Sequence, residues 1–232
     1  MADYYNIAGR KISNEKIEFF QEKILEWYKE NGRDFPWRKK GLTYYQYVIA
    51  EVLLQRTKAE TVAKFFPKFI KDYPNWKELA NAKLEAIEEY LKPLGLHRQR
   101  SKRLISLANE MMKRNGRLTK NRQELEAIPF IGQYIANAIE LIIYKQPSPL
   151  IDVNMSRLLE RYFGKRKMAD IRYDPYLQKL SYEIVNHQRA KDINWAILDF
   201  AALICKASNP KCKSCILVKY CKAYISNHGI IN

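Results

Sequence analysis

The sequence predicts an all-helical protein, and three observations support this prediction. Apolar residues recur at helical spacing almost throughout the chain. No segment alternates apolar and polar residues in the way that a half-buried strand does, and only 8 glycines occur in 232 residues. Proline, glycine and asparagine interrupt the helical pattern at intervals. A chain of this length buries a substantial core, either as one large domain or as two lobes that share a cleft.

The first helix is predicted from about Asn14 to Glu30, and Asn31-Gly32 ends it. Its apolar stripe consists of Ile17, Phe20, Ile24 and Tyr28. After the turn Phe35-Pro36-Trp37-Arg38, further helices are predicted over approximately residues 44–55, 59–72, 76–80, 84–91, 99–114, 121–127, 133–144, 154–162, 176–186 and 194–204. Breaks between them fall at Pro74, Pro93-Leu94-Gly95, Gly116 and the segment 145–149.

The chain is strongly basic, with 41 Lys and Arg against 25 Asp and Glu and a formal net charge of +16. Such a charge favours a polyanionic partner, and nucleic acid is the first candidate. A solvated lysine-rich surface is the alternative explanation. Because no apolar run is long enough to span a bilayer, we expect no membrane association.

All four cysteines lie close together near the end of the chain, as Cys205, Cys212, Cys215 and Cys221. Structural zinc usually takes its thiolates from two separated Cys-x-x-Cys pairs, whereas only one such pair occurs here. Four thiolates on one short loop suit a [4Fe-4S] cluster, with one thiolate for each iron. Zinc and two disulfides remain the alternatives. Free thiols or a metal cluster indicate a reducing, intracellular compartment.

Residues 121–144 are predicted to form two short helices joined by the tight turn Ile128-Pro129-Phe130-Ile131-Gly132. The first helix has a cap signature, Asn121 followed by Glu124. A hairpin of this kind directs backbone amides and the positive end of a helix dipole outward, so it is able to bind phosphate without reading sequence. An ordinary helical hairpin is the alternative.

Two acidic residues are candidates for catalysis. Asp152 lies between the apolar pair Leu150-Ile151 and the start of a helix, where its simplest role is an N-cap. Glu51 lies within an apolar helix, and burial there would raise its pKa; an exposed position is the alternative. Two carboxylates in different environments suit cleavage of a glycosidic bond, since one stays ionised beside the sugar cation and the other handles protons.

These motifs, in this order and at about these separations, resemble the helix-hairpin-helix DNA glycosylases that carry an iron-sulfur cluster. The segments Phe35–Arg38, Glu51–Thr57 and Asp152–Asn154 are most similar to the archaeal thymine mismatch glycosylases and the MutY-type adenine glycosylases. The resemblance implies two helical lobes with a DNA-binding cleft between them. One is a six-helix domain, 38–146, that contains the hairpin 121–144; the other, 1–37 plus 147–232, carries the cluster loop 205–221.

The resemblance also implies the roles of individual residues. Asp152 stabilises the sugar cation or aligns water, and Glu51 is the acid on the base side or positions water. Tyr134 falls where bifunctional members carry a Schiff-base lysine, and because a phenol forms no imine, we expect a monofunctional enzyme in which Tyr134 lines the pocket. Gln55 is expected to enter the duplex in place of the extruded base, next to Arg56, which is also expected to contact DNA.

One departure from the family concerns the hairpin, where Phe130 replaces the first glycine of a Leu-Pro-Gly-Val-Gly pattern. We still expect Phe130, Gly132 and Gln133 to contact the DNA backbone. Trp37 and Arg38 are expected at the base pocket or its rim, with core packing as the alternative for Trp37.

The expected substrate is thymine or uracil paired with guanine, because MutY-type enzymes usually carry a further C-terminal domain for which this chain has no room after Cys221. Adenine opposite guanine or 8-oxoguanine is the main alternative. An endonuclease III-type lyase and a non-catalytic DNA-binding module are further ones. The expected partner is double-stranded DNA with a mismatched or damaged base, bound by a monomer in the cytoplasm of a prokaryote, at the nucleoid.

Overall fold

The computed structural model describes residues 4–228. Two short strands, β1 (Tyr4–Ile7) and β2 (Arg10–Ser13), precede the helices, which are α1 (Asn14–Asn31), α2 (Tyr44–Leu54), α3 (Ala59–Asp72), α4 (Trp76–Ala80), α5 (Leu84–Leu91), α6 (His97–Lys113), α7 (Arg122–Glu126), α8 (Gln133–Ile142), α9 (Val153–Phe163), α10 (Pro175–Val185), α11 (Ala190–Leu203) and α12 (Lys222–His228). The predicted helical fold is therefore confirmed. No helix in the described part of the chain is long and apolar enough to cross a membrane.

The chain divides into two compact units. One is the continuous segment Asp34–Tyr144, and the other combines the chain up to Arg33 with the chain from Lys145 onward. The predicted arrangement of two lobes about a DNA-binding cleft stays a prediction.

The unit Asp34–Tyr144 contains α2 to α8 around a single hydrophobic core. Helix α2 is its most buried element, because eight of its eleven residues, Tyr45 and 47–53, are shielded from solvent. A capping box fixes where α2 begins: the Thr43 hydroxyl accepts the Gln46 amide, and the Gln46 side chain accepts the Thr43 amide. Because most of α2 is buried, even a polar side chain on this helix, such as that of Glu51, lies inside the unit.

The other unit contains the strands with α1 and α9 to α12. Phe20 of α1 packs against Tyr162 and Phe163 of α9, with ring centroids 5.1 and 5.5 Å apart. Trp27 of α1 meets Phe200 of α11 edge to face at 5.0 Å. Helices α1, α9 and α11 thus share one core.

The short hairpin of β1 and β2 is an addition to the helices that the sequence predicts. Its turn, Ala8-Gly9, has both residues at positive φ, 48° and 80°, as a two-residue hairpin requires. Ile7 and Ile12 are its buried residues. Four-residue strands are too short to show a clear alternating pattern, so the sequence did not reveal them.

Helix α11 begins at Ala190, earlier than the predicted start at Asn194. Asn194 is buried within the helix, and its side chain accepts the Leu150 amide at 2.7 Å. Its Nδ2 donates to the carbonyls of Ala190 and, at 3.3 Å, Ser148. Asn194 therefore satisfies the backbone of the buried segment that leads to Asp152.

Candidate functional site

Glu51 lies inside the unit Asp34–Tyr144, with 4% of its surface exposed. Burial raises its pKa to about 7, while the neighbouring Tyr47 hydroxyl and Arg38 guanidinium oppose that shift. Its Oε2 atom has no hydrogen-bond partner within the described chain. A buried carboxyl oxygen without a partner is costly, so it marks a position where a ligand atom or water is expected to bind.

Tyr47 precedes Glu51 by one turn of α2, and sequence reasoning did not identify it. Its hydroxyl is buried and has no hydrogen bond of normal geometry in residues 4–228. Burial raises its pKa well above the ordinary value, and the nearby Glu51 and Tyr134 raise it further, whereas Arg38 lowers it. These four side chains therefore lie close together. The signal that could have revealed Tyr47 is its i, i+4 spacing from Glu51.

The structure places Trp37 in the hydrophobic core of the same unit, with 5% of its surface exposed. Its ring stacks on Phe35 with centroids 4.8 Å apart and meets Phe66 edge to face at 6.1 Å. These contacts correspond to the core-packing alternative, and a role in a base pocket stays a prediction. Arg38 lies over the other ring of this stack, 5.1 Å from the Phe35 centroid, and near Glu51.

Gln55 and Arg56 form the turn at the end of α2, where Gln55 is the C-cap residue. Arg56 is exposed and has a φ of 57°, a left-handed conformation that a non-glycine residue adopts only at a cost. The Thr57 amide donates to the Leu54 carbonyl at 3.1 Å, which closes the turn.

The predicted hairpin consists of α7 and α8, as expected from residues 121–144. The Asn121 side chain caps α7 by accepting the Glu124 amide at 3.1 Å. Arg122 joins the two helices, because its Nη1 donates to Asn137 Oδ1 and to Glu140 Oε2, each at 2.7 Å. The hairpin is thus fixed by hydrogen bonds as well as by its core residues.

Phe130 adopts the left-handed conformation that a glycine would favour, with a φ of 68°. The replacement therefore keeps the turn geometry and places strain on the backbone. The residue is 38% exposed, and the Arg103 guanidinium lies 5.4 Å from the ring centroid.

Gly132 is the N-cap of α8, and Gln133 and Tyr134 are its first two residues. Gly132 has an ordinary φ of −82°, and a Cβ added there would meet no atom within 4 Å. The glycine is therefore not required by the fold of residues 4–228 and leaves open space at the positive end of α8.

In the other unit, Asp152 is the N-cap of α9, as its position in the sequence suggests. Its Oδ1 accepts the amides of Asn154 and Met155 at 2.9 and 2.7 Å, and its Oδ2 accepts Asn154 Nδ2 at 2.7 Å. Burial raises the pKa of Asp152, whereas these three donors lower it. All three donors are N–H groups, so both carboxyl oxygens accept hydrogen bonds. These bonds favour the ionised form of Asp152 over the protonated form.

The four cysteines line one cavity of about 240 Å³ in the same unit. All four are free thiols. Burial raises the pKa of Cys215 to about 12, and the nearby Cys205, Cys221 and Cys212 contribute to this rise. Within residues 4–228, no group of three or more His, Cys, Asp or Glu residues has the arrangement that holds a metal ion.

Two arginines on α9 hold the start of the cysteine loop, and sequence reasoning did not identify them. Arg157 donates from Nε to the Cys205 carbonyl at 2.9 Å and from Nη2 to the Ala201 carbonyl at 2.8 Å. Arg161 donates to the Lys206 carbonyl at 2.7 Å and lies 3.4 Å from Cys205 Sγ. Their i, i+4 spacing on a helix that follows Asp152 is the only signal in the sequence.

Comparison with known proteins places this geometry in context. A family profile described as "HhH-GPD superfamily base excision DNA repair protein" matches residues 49–185. The chain is 36% identical to the thymine/uracil-DNA glycosylase of Pyrobaculum aerophilum over 85% of its own length and 88% of that protein's. It is 32% identical to the adenine DNA glycosylase of Buchnera aphidicola subsp. Baizongia pistaciae, over 90% of its own length and 59% of that protein's.

A solved structure gives a further match. It is described as a thermostable thymine-DNA glycosylase, is 31% identical in sequence, and superposes with a TM-score of 0.81 over 92% of this chain and 98% of that one.

Proposed function

Because the chain belongs to the HhH-GPD superfamily of base excision DNA repair proteins, we propose that it is a monofunctional DNA glycosylase for thymine or uracil paired with guanine. The observation that carries this proposal is the pair of carboxyl groups in contrasting environments. Asp152 accepts three N–H donors, whereas Glu51 is buried with one oxygen lacking a partner. Two carboxyl groups held in these two states suit cleavage of an N-glycosidic bond.

In the proposed reaction, Asp152 provides a fixed negative charge that stabilises the oxocarbenium ion as the glycosidic bond breaks. Its three donors keep it oriented and stabilise its ionised form against the burial that raises its pKa, so little reorganisation is needed when positive charge develops on the sugar. Thymine and uracil leave as stabilised anions, which reduces the need for a strong acid. Glu51 orients the base or the attacking water, and Arg38 donates to a carbonyl of the base.

Tyr134 supports the monofunctional character of the proposed enzyme. It lies at the start of α8, near Tyr47 of α2. A phenol cannot form the imine through which a lysine cleaves the strand, so the product is expected to be an intact strand with an abasic site.

The cysteine loop supports a resident [4Fe-4S] cluster held by Cys205, Cys212, Cys215 and Cys221. Four free thiols border one cavity of about 240 Å³, and four thiolates suit a cluster whose four irons each need one. When bound, the cluster supplies a covalent cross-link between the four ligands. Arg157 and Arg161 hold the loop by its carbonyls, and the exposed side chains of Lys206, Lys211, Lys213, Lys219 and Lys222 surround it with positive charge.

The proposed partner is double-stranded DNA, bound by a monomer in the cytoplasm of a prokaryotic cell. Gly132 and Gln133 at the positive end of α8 are suited to a phosphate, with exposed Phe130 beside them. Gln55 and exposed Arg56, at the end of α2, are the proposed contacts at the flipped nucleotide.

One observation favours a second function, the removal of adenine. A purine leaves readily only after its ring is protonated, and a carboxyl group whose pKa is raised to about 7 by burial is protonated in about half of the molecules at pH 7. Adenine excision would therefore decline as pH rises through about 7, because it needs protonated Glu51.

A single-turnover assay on duplexes with G·T, G·U, A·G and A opposite 8-oxoguanine tests the proposal. We expect product from G·T and G·U only after alkali treatment. Product from the adenine duplexes instead would establish the second function. Strand breaks without alkali, together with a covalent adduct trapped by borohydride, would contradict the proposed role of Tyr134.

A further inference from the structure

Arg100 of α6 is a buried guanidinium, with 5% of its surface exposed. Across residues 4–228 it has no carboxylate partner at ion-pair distance. Burial lowers its pKa, and the nearby Arg103 lowers it further. A buried charge of this kind is costly unless other groups compensate it, so the groups that it contacts explain its position.

All three hydrogen bonds of the Arg100 side chain go to the end of α2 and to the turn that follows. Nη1 donates to the Leu53 carbonyl at 2.8 Å, and Nη2 donates to the Gln55 carbonyl at 3.0 Å and to Thr57 Oγ1 at 2.9 Å. The last carbonyls of a helix have no partner within the helix and lie at the negative end of its dipole. Arg100 therefore both caps α2 and finds its compensating negative charge there.

The turn that Arg100 holds is strained. Arg56, at its centre, is a non-glycine residue with a φ of 57°, and such a conformation persists only when its surroundings fix it. Arg100 binds the turn on both sides of Arg56, at Gln55 and at Thr57. The guanidinium is planar and rigid, so it fixes the two sides relative to each other.

We infer that Arg100 is a positioning residue that holds the Gln55–Thr57 turn in the conformation that presents Gln55 to the duplex. This inference rests on the proposed glycosylase function, in which Gln55 fills the space of the extruded base. Arg100 itself contacts neither the base nor the sugar; it acts through Gln55. Helix α6 also carries Arg103, which lies over Phe130 of the hairpin, so one helix supports both segments that are proposed to contact DNA.

The first test measures excision of uracil from a G·U duplex in single turnover by the full-length proteins Arg100→Lys, Gln55→Ala and the double variant. Lysine keeps the charge but cannot bridge the acceptors in the same plane. We expect Arg100→Lys to lower the rate by about tenfold, the effect of losing a charge-assisted hydrogen bond, Gln55→Ala to lower it at least as much, and the double variant to fall no further than Gln55→Ala alone. Additive losses would overturn the inference.

A second substrate separates positioning from general damage. In a duplex with uracil opposite an abasic site, the base is extruded more easily, so insertion of Gln55 matters less. The rate of Arg100→Lys should recover toward that of the wild type on this substrate. An equal loss on both substrates would indicate a merely structural role and would contradict the inference.

Two further variants test whether the effect of Arg100→Lys comes from its hydrogen bonds to the turn and not from general damage to the fold. Thr57→Val removes one acceptor with little change in shape, and we expect it to behave as a milder form of Arg100→Lys. Arg114→Gln removes an arginine from the far end of the same helix, where it pairs with Glu110, and should leave excision unchanged.

Hydrogen exchange of the free protein tests the inference without any reaction. Arg100→Lys should speed exchange of the Thr57 amide, which bonds to the Leu54 carbonyl, whereas Arg114→Gln should not. Unchanged exchange at Thr57 would overturn the inference. If the wild type excises no base from any duplex, the proposed function fails, and this exchange result still decides whether Arg100 holds the turn.

Discussion

The carboxylate Oδ1 of Asp152 accepts the backbone amide of Met155 at 2.7 Å, in the first turn of α9. The bond makes Asp152 an N-cap and leaves its charge in place beside the proposed sugar cation. In the proposed reaction, a structural and a catalytic role coincide in this side chain, and substitution can separate them because asparagine caps helices about as well as aspartate.

Asp152→Asn is expected to lower single-turnover excision by about 10²–10³-fold, since the fixed charge is lost. Its free energy of unfolding should change by less than about 1 kcal/mol, because the cap is retained. Asp174→Asn is the matched control: Asp174 is a buried N-cap that accepts the amides of Lys167, Met168 and Leu177. In Asp174→Asn the amide NH2 would replace Oδ2, which accepts two of these amides, so that variant should lose more stability than Asp152→Asn but keep its activity. Full activity of Asp152→Asn would refute the catalytic assignment.

The raised pKa of Glu51 predicts how stability depends on pH. The folded protein binds the Glu51 proton more tightly than the unfolded chain does, so this contribution is fully present below about pH 4.5 and is lost as pH rises through about 7. At pH 8, Glu51→Gln should therefore be more stable than the wild type by up to about 3 kcal/mol, with little difference at pH 4. Chemical denaturation at both pH values measures this, with exposed Glu18→Gln as the control. Equal stability of Glu51→Gln and the wild type at pH 8 would argue against a buried carboxylate.

The strained conformation of Phe130 is expected to reverse the usual order of stability, in which an alanine variant is more stable than a glycine variant. At a φ of 68°, alanine keeps the strain whereas glycine relieves it. Both variants lose the contact of the ring with Arg103. We expect Phe130→Gly to be more stable than Phe130→Ala by about 1 kcal/mol in urea unfolding. A more stable alanine variant would mean that the turn relaxes to another conformation.

Tyr134→Lys is expected to introduce strand cleavage, because an amine at the start of α8 is able to attack the sugar and form an imine. Gel analysis without alkali would show broken strands, and borohydride would trap a covalent adduct. Tyr134→Phe, which carries no amine, should give neither. Absence of an adduct with the lysine variant would indicate that this position lies too far from the sugar.

Removing one thiolate tests the metal centre. Wild-type protein is expected to contain about four iron atoms per chain, and Cys215→Ser should lose iron, visible absorbance and thermal stability. Ser214→Ala, at the neighbouring exposed position, should retain all three. Stoichiometric zinc in the wild-type protein would refute the iron-sulfur assignment.

Much of the fold follows from local sequence. Helices such as α3, from Ala59 to Asp72, and α5, from Leu84 to Leu91, have the predicted bounds because their apolar spacing and breakers act locally. The N-cap position of Asp152 was also readable, since capping depends on a few adjacent residues. The start of α11 is an exception: Asn194, at the predicted start, lies inside the helix, and its side chain bonds to Leu150, far away in the chain.

The sequence by itself determined the helices, the spacing of the cysteines and the identity of the acidic residues, because each of these is a local property. Only the tertiary structure decided that Glu51 is buried beside Tyr47, that Trp37 stacks on Phe35, and that Arg100 reaches the turn after α2. The Arg100 contact joins residues 45 positions apart. Burial, pKa and such contacts depend on which distant segments pack together, and short-range patterns carry no direct record of that packing.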